Sequence, residues 1–345
     1  MTTLWEVIDF KVQTTAQNNT SDSIFANGQM QAKVIVSIRA IIAATGANYQ
    51  FTEAELKSIK LIDYYSMSEL TGKWFYSFTE NGYAHALPGA GAPVEPIADG
   101  TQSINFWVSS TGIEYKNIAA KISQPGEGQS TIITTTGGSF NSMVTLRAIQ
   151  QTIYTTSNVT FTREDTATGK WQKQTAFGSS THNWDQDNYY LSSNVYPFLK
   201  VDRHGVDMTG SQNGVASTSD MKDSFAYLKV GSNDISMFYM FDMEVESTVR
   251  RGLSTWNSSS TVDRLATIKI NQRGNTLCLT RLRFYHGYVT WFPNWEEDTW
   301  FTIYDLYGNH GHFSVKQRGQ NTISISSLNS TSLAESTAIE RTAKI

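Results

Sequence analysis

Charge is what this sequence has least of. Only 17% of its 345 residues are Asp, Glu, Lys or Arg, against about a quarter in an ordinary soluble domain. The formal net charge is −4, and the nearest approach to a basic patch is the pair Arg250-Arg251. That balance excludes a protein held to nucleic acid by phosphate neutralisation. Cysteine is nearly absent. Cys278 stands alone, so no disulfide can form within the chain, and its alternation with Leu282 and Phe284 predicts a buried, inert thiol. No run of about 18 apolar residues exists, which excludes a membrane-spanning helix of the usual kind. The first residues, MTTLWEVIDF, lack the basic segment and apolar run of a secretory leader. The expectation is a protein made in the cytoplasm and kept there, or released by lysis or a dedicated machine. A nucleophile elbow, a phosphate loop, a dinucleotide fingerprint and a His-Glu-x-x-His metal motif are all missing, and no cofactor is expected.

The place of charge is taken by Ser, Thr, Asn, Gln and Gly, together with 12% aromatic residues, nine of them Trp and sixteen Tyr. Hydroxylated and aromatic residues suit half-buried pleated surfaces, and too many aromatics are present for disorder. The clearest pattern runs from Ile24 to Ile41. Met30, Ala32, Val34, Val36, Ile38 and Ala40 are apolar, and the residues between them are polar apart from Ile35. Side chains alternate faces along a strand, so this is a long strand with one buried face. Asn27-Gly28 before it reads as a tight hairpin turn. Further hairpins are expected at Asn81-Gly82, Asp165–Gly169, Gly231–Asp234 and Asn271–Gly274. Thr52-Glu53-Ala54-Glu55 has the form of a capping box and predicts a helical turn or two. Pro88–Gly100 carries three of the six prolines and reads as a loop. Phe177–Tyr190 reads as an irregular polar loop, and Ser326–Ile345 as a polar tail or docked arm. A length of 345 residues favours two domains. The break in pattern at Gln124–Gln129 puts them at 1–127 and 128–345.

Two segments echo each other. Ile62-Asp63-Tyr64-Tyr65 leads through Gly72-Lys73-Trp74 into Phe75, and Tyr304-Asp305-Leu306-Tyr307 leads through Gly311-His312 into Phe313. In each, Asp caps a turn and Gly opens the returning strand. This pattern resembles bacterial immunoglobulin-like modules. The resemblance covers about 100 residues at the start and about 50 near the end, and any sandwich hairpin has similar turn chemistry. It implies two-sheet sandwiches serving as spacer, adhesin or virion decoration.

Four places are candidates for chemistry. His310-x-His312, with Asp305, has the residue types of a metal site, weighed against a turn with two exposed imidazoles. His182, Asp185 and Asp187 offer calcium-ligating atoms, but the glycine and distal Glu of a helix–loop–helix site are missing. Ser130–Thr162 has the Ser/Thr-rich alternation of a pore-forming hairpin, but only half of an apolar outward face, so an ordinary hairpin is favoured. The richest stretch is Trp291–Trp300, with three Trp and three carboxylates in ten residues. Trp291, Trp295 and Trp300 would stack on a ligand, with Glu296 and Asp298 accepting hydrogen bonds. The competing reading is packing, since each buried Trp covers roughly 150–250 Å².

Together these readings predict an all-β chain of two immunoglobulin-like β-sandwich domains with short helical turns. The expected role is non-enzymatic: recognition or assembly through aromatic loops. The expected partner is a cell-surface or glycan ligand, a homo-oligomer, or both, and neither nucleic acid nor a transmembrane helix is involved. The alternatives are a structural virion or injection-machine component, a pore-forming or host-directed toxin, and a carbohydrate-active enzyme with Glu296 or Glu297 at its centre.

Overall fold

Met30, Ala32, Val34, Val36, Ile38 and Ala40 are all 0% exposed, as a strand with one buried face requires. In the computed structural model, which describes residues 4–94, 101–175, 178–210, 219–243, 246–257, 260–289, 293–318 and 322–329, the chain is all-β and its sheets pack as sandwiches. It forms two units, Met1–Thr152 with Tyr307–Asn309, and Ile153–Leu306 with His310–Ile345. The first therefore runs past the break expected near 127. The physical reason is strand pairing: residues 131–149 hydrogen-bond back onto strands that precede the break.

The first unit contains β1 (Trp5–Thr14), β2 (Ser21–Phe25), β3 (Ala32–Ile42), β4 (Asn48–Tyr49), α1 (Glu53–Lys57), β5 (Lys60–Asp63), β6 (Trp74–Ser77), β7 (Gln102–Ser110), β8 (Tyr115–Gln124), β9 (Thr131–Thr134), β10 (Thr136–Gly137), β11 (Phe140–Asn141) and β12 (Val144–Ile149). One sheet is ordered β1-β3-β7-β6, with β4 on β3. The other is β2-β12-β8-β5, with β9 on β8. Asn27-Gly28 is a turn, since Asn27 Oδ1 accepts from the backbone N–H groups of Gln29 and Met30 at 2.9 and 2.8 Å and Gly28 has φ +72°. It is not a hairpin, because β2 pairs in parallel with β12 while β3 pairs with β1 and β7 in the other sheet. The capping box forms as expected. Thr52 Oγ1 accepts from Glu55 N–H at 3.3 Å, and Glu55 Oε2 accepts from Thr52 N–H at 2.8 Å, which starts the five-residue α1. Asp63 caps its turn through bonds from Tyr65 and Ser66 N–H. Its counterpart Asp305 is buried and accepts from Tyr154 Oη at 2.8 Å instead. The stretch Ser130–Thr162, weighed as a pore hairpin against an ordinary one, is divided among the short strands β9–β12 and the start of a further strand at Val159.

The second unit contains β13 (Val159–Thr175), β14 (Gly178–Ser193), β15 (Phe198–His204), β16 (Ser224–Val230), β17 (Asp234–Met240), β18 (Thr248–Asn257), β19 (Ser260–Lys269), β20 (Leu277–Phe284), β21 (Trp295–Glu296), β22 (Trp300–Asp305), β23 (His310–Arg318) and β24 (Thr322–Ser327). A central sheet is ordered β13-β14-β20-β17-β16-β21. One of its faces packs against the sheet β15-β22-β23-β24, through Leu277, Leu279, Phe238 and Met240 against Phe198, Phe301, Ile303 and Phe313. The other packs against the β18–β19 hairpin, through Cys278, Leu282, Phe284 and Tyr239 against Leu253, Val262, Ala266 and Ile268. The centre of the sheet is thus apolar on both sides, and Cys278 is buried with its neighbours.

Two expected hairpin turns and one expected loop are corrected. Asp165–Gly169 is not a tip but the site of a register shift within the β13–β14 ladder. The residues read as an irregular loop from 178 onward are β14. Asn271–Gly274 does not close a hairpin, because β19 pairs with β18. The Gly231–Asp234 hairpin stands, joining β16 to β17. The tail residues 330–345 lie outside the described residues.

Alternation on β14 separates the proposed calcium ligands. Asp185 and Asp187 share a face and His182 is on the opposite one. Arg281 occupies the place a cation would take. Its Nε donates to Asp187 Oδ2 at 2.7 Å and its Nη2 pairs with Asp185, while Arg163 Nη2 donates to Asp187 Oδ2 at 2.8 Å. The side chains of Arg281 and Asp187 are each 1% exposed. Removing one member of so buried a pair strands the other's charge, so Asp187→Ala is expected to cost about 3–5 kcal/mol in urea unfolding. Glu164→Ala, which breaks the exposed pair with Arg273, is expected to cost under about 1 kcal/mol. Equal effects would contradict the burial described here.

Candidate functional site

The structure disperses the described members of the Trp291–Trp300 set. Trp295 lies in β21, paired with Tyr227 of β16, and packs partly buried against the core between the central sheet and the β18–β19 hairpin. Trp300 opens β22, is only 5% exposed, and stacks on His204 at 3.6 Å with the rings 4° from parallel. Glu296 and Asp298 are exposed, and Asp298 forms an ion pair with Lys316 at 3.3 Å. Trp291 lies outside the described residues. Trp295 and Trp300 therefore sit in different packing environments and make no shared stacking platform. His310 and His312 do share a face of β23, with ring centroids 5.2 Å apart, but Asp305 belongs to the buried face of β22. Among the described residues no group of three or more His, Cys, Asp or Glu is placed to hold a metal ion. His312 bonds Thr302 Oγ1 through Nδ1 at 2.8 Å. Its pKa is lowered, first by burial and then by the neighbouring imidazoles of His310 and His204.

A concavity lies in the first unit, on the outer face of the β1-β3-β7-β6 sheet. Register puts Lys33 of β3 opposite Trp107 of β7, and Ile35 opposite Asn105, so Lys33, Asn105 and Trp107 share the face that β3 turns away from its core. The connection after β6 folds back over this face. Asn81, expected to make a hairpin, anchors it: Asn81 Nδ2 donates to Gln29 O at 2.5 Å, and its N–H donates to Gln31 Oε1 at 2.8 Å. Further along, His85 Nδ1 lies 3.2 Å from Gln31 O, its ring lies 4.5 Å from that of Trp107, and its Nε2 is 2.9 Å from Glu80 Oε1. Val94 N–H closes the strap by donating to Thr15 O at 2.8 Å.

Between strap and sheet is a groove of about 620 Å³ lined by Phe78, Glu80, His85, Asn105 and Trp107 among others. A second hollow of about 550 Å³ adjoins it through Thr15, His85 and Pro93 and reaches Gln17, Asn18 and Asp22. These volumes suit small-molecule or oligomeric ligands. The lining combines aromatic rings, including Phe78 at 41% exposure, with amide, carboxylate and hydroxyl groups. Such a lining can stack on an apolar ring face while exchanging hydrogen bonds with hydroxyls. Asp22 has a raised pKa, chiefly from burial and partly offset by the bond from Ser23 N–H at 2.7 Å.

Sequence reasoning missed this groove. The available signal was the length of the Pro- and Gly-rich connection between β6 and β7, since long unstructured connections in compact domains are commonly functional. What it could not show was the return of the chain over Trp107.

No protein-family model matches the chain, and no curated protein matches it. Among solved structures, the C-terminal domain of the Streptococcus pyogenes antigen I/II-family protein AspA is similar at 10% sequence identity and a TM-score of 0.18, covering 88% of this chain and 97% of that one. A likeness of that size bears on neither fold nor function. Among the described residues, no helix is long and apolar enough to cross a membrane.

Asp22 yields a pH-dependent prediction. Its folded pKa is above the unfolded one, so the stability contributed by the protonated form is full below the ordinary carboxylate range and is lost as pH rises through the raised value. Asn mimics the protonated side chain. Asp22→Asn is expected to raise Tm at pH 7, with the gain shrinking as pH falls below the carboxylate range. A gain that stays constant from pH 3 to pH 7 would show that ionisation of Asp22 is not its source.

Proposed function

We propose that this chain is a non-enzymatic recognition protein that binds a surface glycan in the strapped groove of its first unit. The observation that carries the reading is the pairing of aromatic rings with hydrogen-bonding side chains over one open groove: exposed Phe78, and His85 lying on the buried Trp107, beside Glu80 and Asn105. Rings supply apolar contact with a sugar face, and neighbouring polar groups set orientation. The anchoring of the strap at Asn81, His85 and Val94 favours a preformed site, which lowers the ordering cost of binding. The groove lies on a sheet of an all-β, sandwich-like unit.

One feature favours ligand binding over edge-to-edge assembly. β1 lies at the edge of its sheet, and polar side chains cap that edge. Val7 N–H donates to Gln124 Oε1 at 3.0 Å and Val12 N–H donates to Ser142 Oγ at 2.9 Å, which blunts it as a template for another chain's strand.

The test is a glycan array with the full chain, followed by titration of the strongest saccharide. Saturable binding is expected, weakened about tenfold or more by Asn105→Ala or Phe78→Ala, as loss of a polar or stacking contact in a small site implies. Thermal denaturation should show both variants folded. Absence of binding across the array, or equal affinity in the folded variants, would remove the groove from the proposal.

A further inference from the structure

We propose that the second unit carries a separate binding site for an acidic saccharide, on the open face of β13 and β14 beside Tyr285. The cross-strand pairs Thr168–Asp185 and Lys170–Asn183 stand next to each other in the β13–β14 ladder. Tyr285, just past β20, joins them because its N–H donates to Asn183 O at 3.0 Å. These five residues, with Trp184, line a hollow of about 350 Å³. The Trp184 side chain turns to the opposite face, where it packs toward the β18–β19 hairpin and where a Cβ at Gly169 would meet its indole at 2.5 Å, so the side chains offered on the open face are the polar ones.

The functional groups in this hollow are held ready but unspent. Asp185 is fixed through Oδ2 by Arg281, which is itself buried and locked onto Asp187. Its charge is thus offset from below, and among the described residues Oδ1 is left to accept a hydrogen bond from a ligand. Lys170 has no carboxylate within ion-pair distance among the described residues, and it is exposed. The side-chain amide of Asn183 and the hydroxyls of Thr168 and Tyr285 are likewise open to a ligand. One uncompensated ammonium suits one carboxylate. Several neutral donors and acceptors around it suit ring hydroxyls, and a fixed acceptor such as Asp185 favours a polyhydroxylated ligand over a simple anion. A phosphate-rich polymer would need several unpaired cations along the face, and here Arg281 and Arg283 are already paired with Asp185 and Asp234.

The inference does not depend on the first-unit groove, and the test separates the two. The full chain is titrated with sialyllactose and with lactose, its neutral counterpart, in the wild type and in the Asn105→Ala, Lys170→Ala and Asn183→Ala variants. Expected are saturable binding of sialyllactose, affinity for lactose lower by about tenfold, and loss of that difference in Lys170→Ala, as removal of one charge-assisted contact implies. Asn183→Ala should weaken sialyllactose, and Asn105→Ala should leave its binding intact. Equal affinity for the two sugars, no binding of sialyllactose, or an unchanged Lys170→Ala variant would overturn the proposal. Loss of sialyllactose binding in Asn105→Ala alone would place the sugar in the first-unit groove, sustaining that reading and refuting this one.

Discussion

A side-chain amide completes a ladder that the backbone of the second unit leaves open. Gln186 of β14 accepts from Lys269 N–H through Oε1 at 3.0 Å and donates from Nε2 to Lys269 O. In effect it makes a β-bridge to the covering hairpin from inside the core. Asn188 extends the link, donating to Lys269 O at 2.9 Å and accepting from Thr280 Oγ1 at 2.7 Å. Buried amides are costly unless every donor and acceptor finds a partner, and these two are almost wholly engaged with one another, with Thr280 and with the hairpin backbone. Burial of the apolar side chains around them is non-directional. The amide links are directional, so they set the register at which the hairpin seats.

The same five residues, Trp184 to Asn188, therefore serve two faces at once. Odd positions send carboxylates to Arg281, and even positions send an indole and amides toward the β18–β19 layer. A stretch of this composition has the look of a solvated loop because its residues are polar, yet Gln186, Asp187 and Asn188 are buried. Polar composition signals exposure only when partners are scarce, and here a three-layer arrangement supplies them.

This explains which parts of the fold were legible in the sequence. The strand through Met30–Ala40 was readable because one face is covered and one is not, so burial leaves a period of two. The capping box at Thr52–Glu55 was readable because its partners are three residues apart. The Gln186–Leu191 part of β14 was not readable, since both faces are covered there and polar networks replaced the expected hydrophobic run. Asn27-Gly28 marked a turn correctly, but a dipeptide carries no information about which sheet receives the next strand. The Trp-rich stretch was over-read for the same reason: Trp295 and Trp300 lie five residues apart, and local sequence does not show that their rings enter different layers. The groove under the β6–β7 strap depends on contacts between residues 15, 31, 85 and 107, which no local pattern reveals.

The lone thiol has a consequence of another kind. Cys278 is enclosed between the central sheet and the β18–β19 hairpin, and its thiol pKa is pushed up to about 11, mainly by burial. Modifying reagents need the thiolate and access to it, and the closed fold denies both. The chain thus contains a chemical clock for its own opening: the rate at which an alkylating reagent captures this sulfur reports how often the hairpin lifts from the sheet, in a protein whose single cysteine leaves no ambiguity about where the signal arises.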